Sequence, residues 1–94
     1  MRIVWDSEKE TANLERHGID FATAAQVFAD PQAVTDYDAD HSRDGEDRWT
    51  TIGLAGGLLI LVRVTWTDRD GDDEMRIISA RPADPRDRTI YLQG

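Results

Sequence analysis

Three runs of strand-type residues follow one another with little between them: Arg48 to Leu54, Leu58 to Thr67, and Met75 to Arg81. The first gap is Ala55-Gly56-Gly57 and the second is Asp68 to Asp73, with glycine in its middle. Glycine admits the positive φ of tight hairpin loops, so gaps of this kind join antiparallel neighbours. The chain is thereby committed to an antiparallel meander with the middle run at its centre. In that run Leu58, Ile60, Val62, Val64 and Trp66 alternate with Leu59, Leu61, Arg63 and Thr65. Successive strand side chains point to opposite faces. One face is therefore apolar throughout; the other begins apolar and ends polar, which predicts a half-buried groove there.

Upstream, Met1 to Trp5 reads as a first strand. Ser7 and Glu10 have the spacing of a capping box, which ties up two free amides at a helix start. That helix runs to Arg16 or His17, where Gly18 supplies a left-handed stop. Asp20 offers a second N-cap, and Phe21, Ala24, Ala25 and Phe28 form one apolar stripe. Asp30-Pro31 ends the stripe, because proline disfavours helical geometry in the residue before it. A short strand near Ala33 to Thr35 and an exposed polar loop over residues 36–47 follow. Pro82 ends the meander, and Asp84 with Pro85 opens a last helix to about Tyr91. The expected fold is α+β: an N-terminal strand, two helices on one face of a mostly antiparallel sheet of four or five strands, and a short C-terminal helix. Ninety-four residues make one domain, 1–94, with one modest core.

Composition removes several classes. Hydrophobic residues are 39% and charged residues 32%, a globular balance. No cysteine is present, so disulfide and thiolate chemistry are out and a cytoplasmic location is the economical expectation. The apolar run from Leu58 to Val62 is too short to span a bilayer, and no signal-type segment opens the chain, so no membrane partner is expected. The net charge of −8 repels phosphate on average, so any contact with nucleic acid must come from a local group of arginines. The same acidity suits a basic protein partner.

Metal motifs are absent. Asp40, Ser42, Asp44 and Gly45 fit the start of a calcium loop, but Thr51 stands where its bidentate glutamate belongs. Asp68, Asp70 and Asp72 alternate, with Gly71 in the wrong place. His17 and His41 lack ligand spacing, so neither metal nor cofactor is expected. His17, at a helix end, also suits a purely structural role with the dipole.

What remains is arginine. Arg76 and Arg81 are five apart, an odd separation that puts them on opposite faces of a regular strand. Either a bulge or strand end turns Arg81 toward Arg76, or only one of them serves a site. Solvated charges are the bland reading. With Arg16-His17, Glu46, Arg48 and Tyr91 the set can also serve RNA cleavage. Arginine would supply charge for the phosphorane, and Glu46, His17 or His41 the proton steps.

Trp5-Asp6, Lys9, Asn13, Arg16-His17-Gly18-Ile19, Phe21, Ala25, Phe28 and Asp30 resemble the opening pattern of the BrnT-type toxins. His41, Glu46-Asp47-Arg48-Trp49, Ile52-Gly53 and Arg76-Ile77-Ile78-Ser79-Ala80-Arg81 continue it in order, and Tyr91 falls where that family's last helix carries a tyrosine. The resemblance covers nearly the whole chain. It implies a RelE-like fold and a ribonuclease toxin of a type II toxin–antitoxin pair that cuts RNA and stops translation. It implies neutralisation by a BrnA-type antitoxin with a ribbon-helix-helix domain, two toxins flanking an antitoxin dimer that binds operator DNA. Carried over as activity-bearing are Arg16 (more often lysine in the family), Glu46, Arg48, Arg76 and Arg81, with His17 in the second rank. In the last helix, where the family usually brings a glutamate and several basic residues, Asp87 stands between Arg86 and Arg88. The competing class is a non-catalytic module that acts as the rigid partner of a ribbon-helix-helix protein in autorepression; only an RNA-cleavage assay separates the two.

Overall fold

A computed structural model describes residues 2–43, 45–57, 59–68 and 73–94. The order is β1 (Arg2–Trp5), α1 (Ser7–His17), α2 (Phe21–Ala25), a 3-10 turn (Gln26–Ala29), β2 (Val34–Tyr37), β3 (Arg48–Ala55), β4 (Ile60–Asp68), β5 (Glu74–Pro82) and α3 (Pro85–Gln93). The strands form one five-stranded sheet in the order β1-β5-β4-β3-β2. The meander from β2 to β5 is antiparallel, and β1 joins the edge parallel to β5. The α+β architecture read from the sequence is the one present.

The helix starts are built from acidic side chains. Asp6, not Ser7, caps α1, accepting from the Glu8 amide at 2.8 Å. The expected Ser7–Glu10 box is therefore corrected. Glu10 reaches across to accept the Phe21 amide at 2.8 Å, so the first helix helps to cap the second. Gly18 stops α1 at φ 74°, a conformation that costs other residues a Cβ clash. Asp20 caps α2 through the Thr23 amide at 2.6 Å. After Ala25 the winding tightens toward three residues per turn. Phe21, Ala24 and Val27 then share a face and are fully buried, while Phe28 is only partly covered.

The core lies between these helices and one face of the sheet, where Val62, Val64, Ile77 and Ala80 are buried against Ile19, Phe21, Ala24 and Val27. Trp66 stays on that face, edge-on to Phe28, with its indole N–H donating to Thr51 Oγ1 at 2.8 Å. The central strand begins at Ile60, two residues later than expected. Leu59 belongs to the turn, with φ 54° and a side chain 77% exposed, and Leu58 lies outside the described residues. The Asp68–Asp73 loop and both calcium-like patterns also include undescribed residues (Asp44 and 69–72).

The register between β4 and β5 holds the answer to the arginine spacing. Thr65 pairs with Ser79 but Trp66 pairs with Ile77, so Ile78 is an extra residue, a β-bulge. Ile77 and Ala80 consequently both face the core, and Arg76 and Arg81 both face away from it. The bulge also lies just past the end of β1, which pairs with β5 only as far as Ile77. There Asn13 of α1 takes the missing strand's place. Its Oδ1 accepts from the Ala80 amide at 3.0 Å, and its Nδ2 donates to the Ala80 carbonyl at 2.8 Å.

On the face opposite α1 and α2, α3 crosses one end. Asp84 and Asp87 form a reciprocal capping box with Pro85 between them at the first position. The helix runs to Gln93, one turn's fraction beyond the expected Tyr91. None of the described helices is long and apolar enough to cross a membrane.

Candidate functional site

The sheet face away from α1 and α2 carries Arg48 on β3, Arg63, Thr65 and Thr67 on β4, and Arg76, Ser79 and Arg81 on β5. Arg63 and Arg81 are cross-strand neighbours, Thr65 pairs with Ser79, and Thr67 lies between Arg48 and Arg76. Over this surface folds the segment between β2 and β3, bringing Asp38 and His41. The result is a cleft of about 330 Å³ lined by Asp38, His41, Arg48, Arg63, Thr65, Ile78, Ser79 and Arg81. A second space of about 530 Å³ continues from it and shares Asp38, His41, Arg63 and Arg81. The half-buried groove expected on the polar-ending face is this cleft.

Each arginine of the cleft is braced by a carboxylate. Arg48 Nε donates to Glu46 Oε1 at 3.1 Å. Arg63 Nη1 donates to Asp87 Oδ1 at 3.1 Å and Arg81 Nη1 to Asp87 Oδ2 at 2.7 Å. Asp87 is completely buried and also accepts the Asp84 amide at 3.0 Å. Burial pushes its carboxyl upward, but the Asp84 amide, the Arg63 hydrogen bond and the Arg81 charge outweigh this and hold it below the ordinary carboxylate range. A guanidinium has five N–H donors, and these braces engage one nitrogen of each. The remaining donors of a fixed fork suit phosphate oxygens.

The expected site residues do not all meet. Arg48 and Arg81 line the cleft. Glu46 reaches it only through Arg48. Arg76 shares the face, but it lies outside the cleft lining, and its buried Nε makes no hydrogen bond among the described residues. Arg16 and His17 sit on α1 in another cleft of about 340 Å³, with Lys9 and Asn13. Ile78 and Ser79 line both clefts, so the two meet at the β5 edge that β1 leaves uncovered. Tyr91 is elsewhere. Its hydroxyl donates to Asp30 Oδ2 at 2.8 Å, and this bond to a carboxylate raises its pKa. Asp30 in turn is lowered, chiefly by the Leu54 amide, so the pair is a structural clasp between α3 and the loop before β2. Trp49 stacks on Trp66 and meets Tyr37 edge-on, which is packing.

Arg63 and Asp87 are the residues that sequence reasoning left out of the site. Arg63 had a signal: a lone arginine on the polar-ending face of the central strand. Its partnership with Arg81 follows only from the β4–β5 register. Among the described residues no group of three or more His, Cys, Asp or Glu side chains could hold a metal ion.

Fold and cleft together define a small α+β protein whose sheet face gathers guanidinium groups over hydroxyl side chains, a groove suited to anions. Over residues 5–87 the sequence matches the family described as the ribonuclease toxin BrnT of type II toxin–antitoxin systems, and the chain belongs to that family. No curated protein matches it.

Proposed function

We propose that the chain is a metal-independent endoribonuclease that stops translation by cutting RNA, and that the cleft of Arg48, Arg63 and Arg81 holds the scissile phosphate. The observation that carries this is the convergence of three guanidiniums, braced and with donors to spare, over Thr65 and Ser79. Pentavalent phosphorus develops negative charge in the transition state, and fixed donors stabilise that charge without reorganising. Arg16, in the adjoining cleft, extends the cationic path for a longer strand. Metal independence is supported by the donor set: among the described residues the lining of this cleft holds one carboxylate, Asp38, and hard cations need several oxygens.

The partner is a BrnA-type antitoxin whose ribbon-helix-helix domain reaches operator DNA, in an assembly of two toxins and two antitoxins in the cytoplasm. The net charge of −8 favours a basic partner. A place for it is offered by an apolar groove of about 480 Å³ lined by Leu54, Leu59, Ile60, Leu61, Tyr91 and Leu92, among others.

The test is cleavage of a labelled RNA by the purified chain in excess EDTA. Cutting should persist, and Arg81→Ala should slow it by roughly 100-fold or more, the usual loss for one transition-state donor. Wild type that leaves RNA intact while binding its antitoxin returns the protein to the class of non-catalytic partner.

A further inference from the structure

We infer that His41 and Asp38 are the proton-transfer pair of the arginine cleft: His41 takes the 2′-hydroxyl proton of a bound RNA, and Asp38 positions it. This rests on the ribonuclease reading and adds the residues that move the proton.

Three side chains could in principle serve. Glu46 commits a carboxylate oxygen to Arg48 and is not in the cleft lining, and His17 lies in the other cleft. His41 alone of the three lines the cleft with Arg48, Arg63 and Arg81. Its Nδ1 faces both Asp38 oxygens, at 3.1 and 2.9 Å. A carboxylate there keeps the neutral ring's proton on Nδ1, so Nε2 carries the lone pair of a base.

The pair is held as a unit. Asp38 is only 13% exposed in its side chain and His41 is 69% exposed, the arrangement of a fixed acceptor beneath an accessible ring. The His41 amide also donates to Asp38 Oδ1 at 3.3 Å. Ser42 Oγ then donates to the Asp38 carbonyl at 2.7 Å and accepts the Arg48 amide at 2.9 Å, while the Asp38 amide donates to the Arg48 carbonyl at 2.8 Å. The turn that carries the base is thus tied to the strand entry that carries a guanidinium. His41 also stands where the two connected spaces meet, a position suited to a ligand that is a chain.

The chemistry balances without a metal. The 2′-oxygen attacks phosphorus as its proton passes to His41 Nε2. The P–O5′ bond breaks, and the 5′-oxygen leaves with its electron pair and takes a proton from water. The hydroxide formed removes the proton from His41. The products are a 2′,3′-cyclic phosphate and a 5′-hydroxyl.

The experiment uses the full chain and a 5′-labelled single-stranded RNA oligonucleotide of mixed sequence. His41→Ala, at an exposed position, should fold normally, bind RNA within about twofold of wild type and cut it at least about 100-fold more slowly. Added imidazole should restore part of the rate. Asp38→Asn should lower kcat about tenfold or more with KM unchanged, and Asp38→Glu should recover much of it. Cutting by His41→Ala at the wild-type rate overturns the pair, as does a loss that imidazole leaves untouched while RNA binding falls in step. If wild type cuts and His41→Ala cuts equally, the ribonuclease reading stands and only the pair falls; if wild type cuts nothing, both fall.

Discussion

Asp87 shows how far one buried carboxylate can organise a surface. It caps α3 and braces Arg63 and Arg81, three roles met by two oxygens. Asparagine has the same shape, but it has no charge and turns an NH2 toward one of its donors. Removing one member of a buried charge cluster typically costs about 3–5 kcal/mol. The arginines here are about one third exposed and partly screened, so roughly 2–4 kcal/mol is expected for Asp87→Asn. The pH dependence has a definite sign. A carboxyl held below its unfolded value of about 3.9 contributes stability that is complete above about pH 4 and is lost as pH falls through the folded pKa. Urea midpoints should therefore separate wild type from Asp87→Asn widely at pH 7 and converge toward pH 2. Equal separation at both pH values would remove the charge from the account. None of this was legible beforehand: Asp87 reads as one acid between two arginines, and its burial depends on β4 and β5 lying beneath it.

At the scale of elements, local rules were readable and register was not. Gly18, Asp20, Asp84 and Pro85 act through neighbours within one turn, so their spacing alone announced the helix ends. The bulge at Ile78 has no such signature, because nothing within the run Arg76 to Arg81 says which residue β4 will leave unpaired. The turn at Asp38–Ser42 was hidden for the same reason: residues that read as a solvated loop are pinned by the distant Arg48 backbone. The bulge makes a sharp expectation possible. Deleting Ile78 removes the extra residue and leaves Arg76 and Arg81 four apart, so regular pairing keeps both on the face away from the core. A regular strand that kept Ile78 would instead slip by one residue and turn one arginine toward the core. The deletion should therefore fold and still cut RNA, as should Ile78→Val; circular dichroism and the cleavage assay read both, and an unfolded deletion variant would mean that Ile78 is not the extra residue. Gly53, by contrast, belongs to packing. A Cβ there would sit 3.0 Å from Val27 Cβ and 3.1 Å from its carbonyl oxygen, so any side chain at this position would crowd the 3-10 turn.

Across the whole molecule the two proposed surfaces are separate. The arginine cleft occupies the middle of one sheet face, and the apolar groove lies between the β3–β4 turn and α3, with no lining residue in common. Leu59 and Leu92 are 77% and 82% exposed at the groove, a large apolar display for a chain that is otherwise so strongly charged. Exposed apolar clusters of this kind mark protein contacts, and membership in a toxin–antitoxin family supplies the contact expected. Aspartate at either position removes apolar area and adds a charge that a docked partner would have to desolvate. Leu59→Asp and Leu92→Asp should therefore weaken capture of the co-expressed antitoxin by tenfold or more, the effect of about 1.4 kcal/mol at the interface. Both variants should cut RNA at the wild-type rate, because neither residue touches the cleft. In cells that combination has a distinctive outcome: the variants should be toxic even when the antitoxin is present. Sedimentation of the isolated chain keeps the partner's identity in view. A wild-type dimer that Leu92→Asp splits into monomers, with antitoxin capture unchanged, would assign the groove to a second copy of the chain instead.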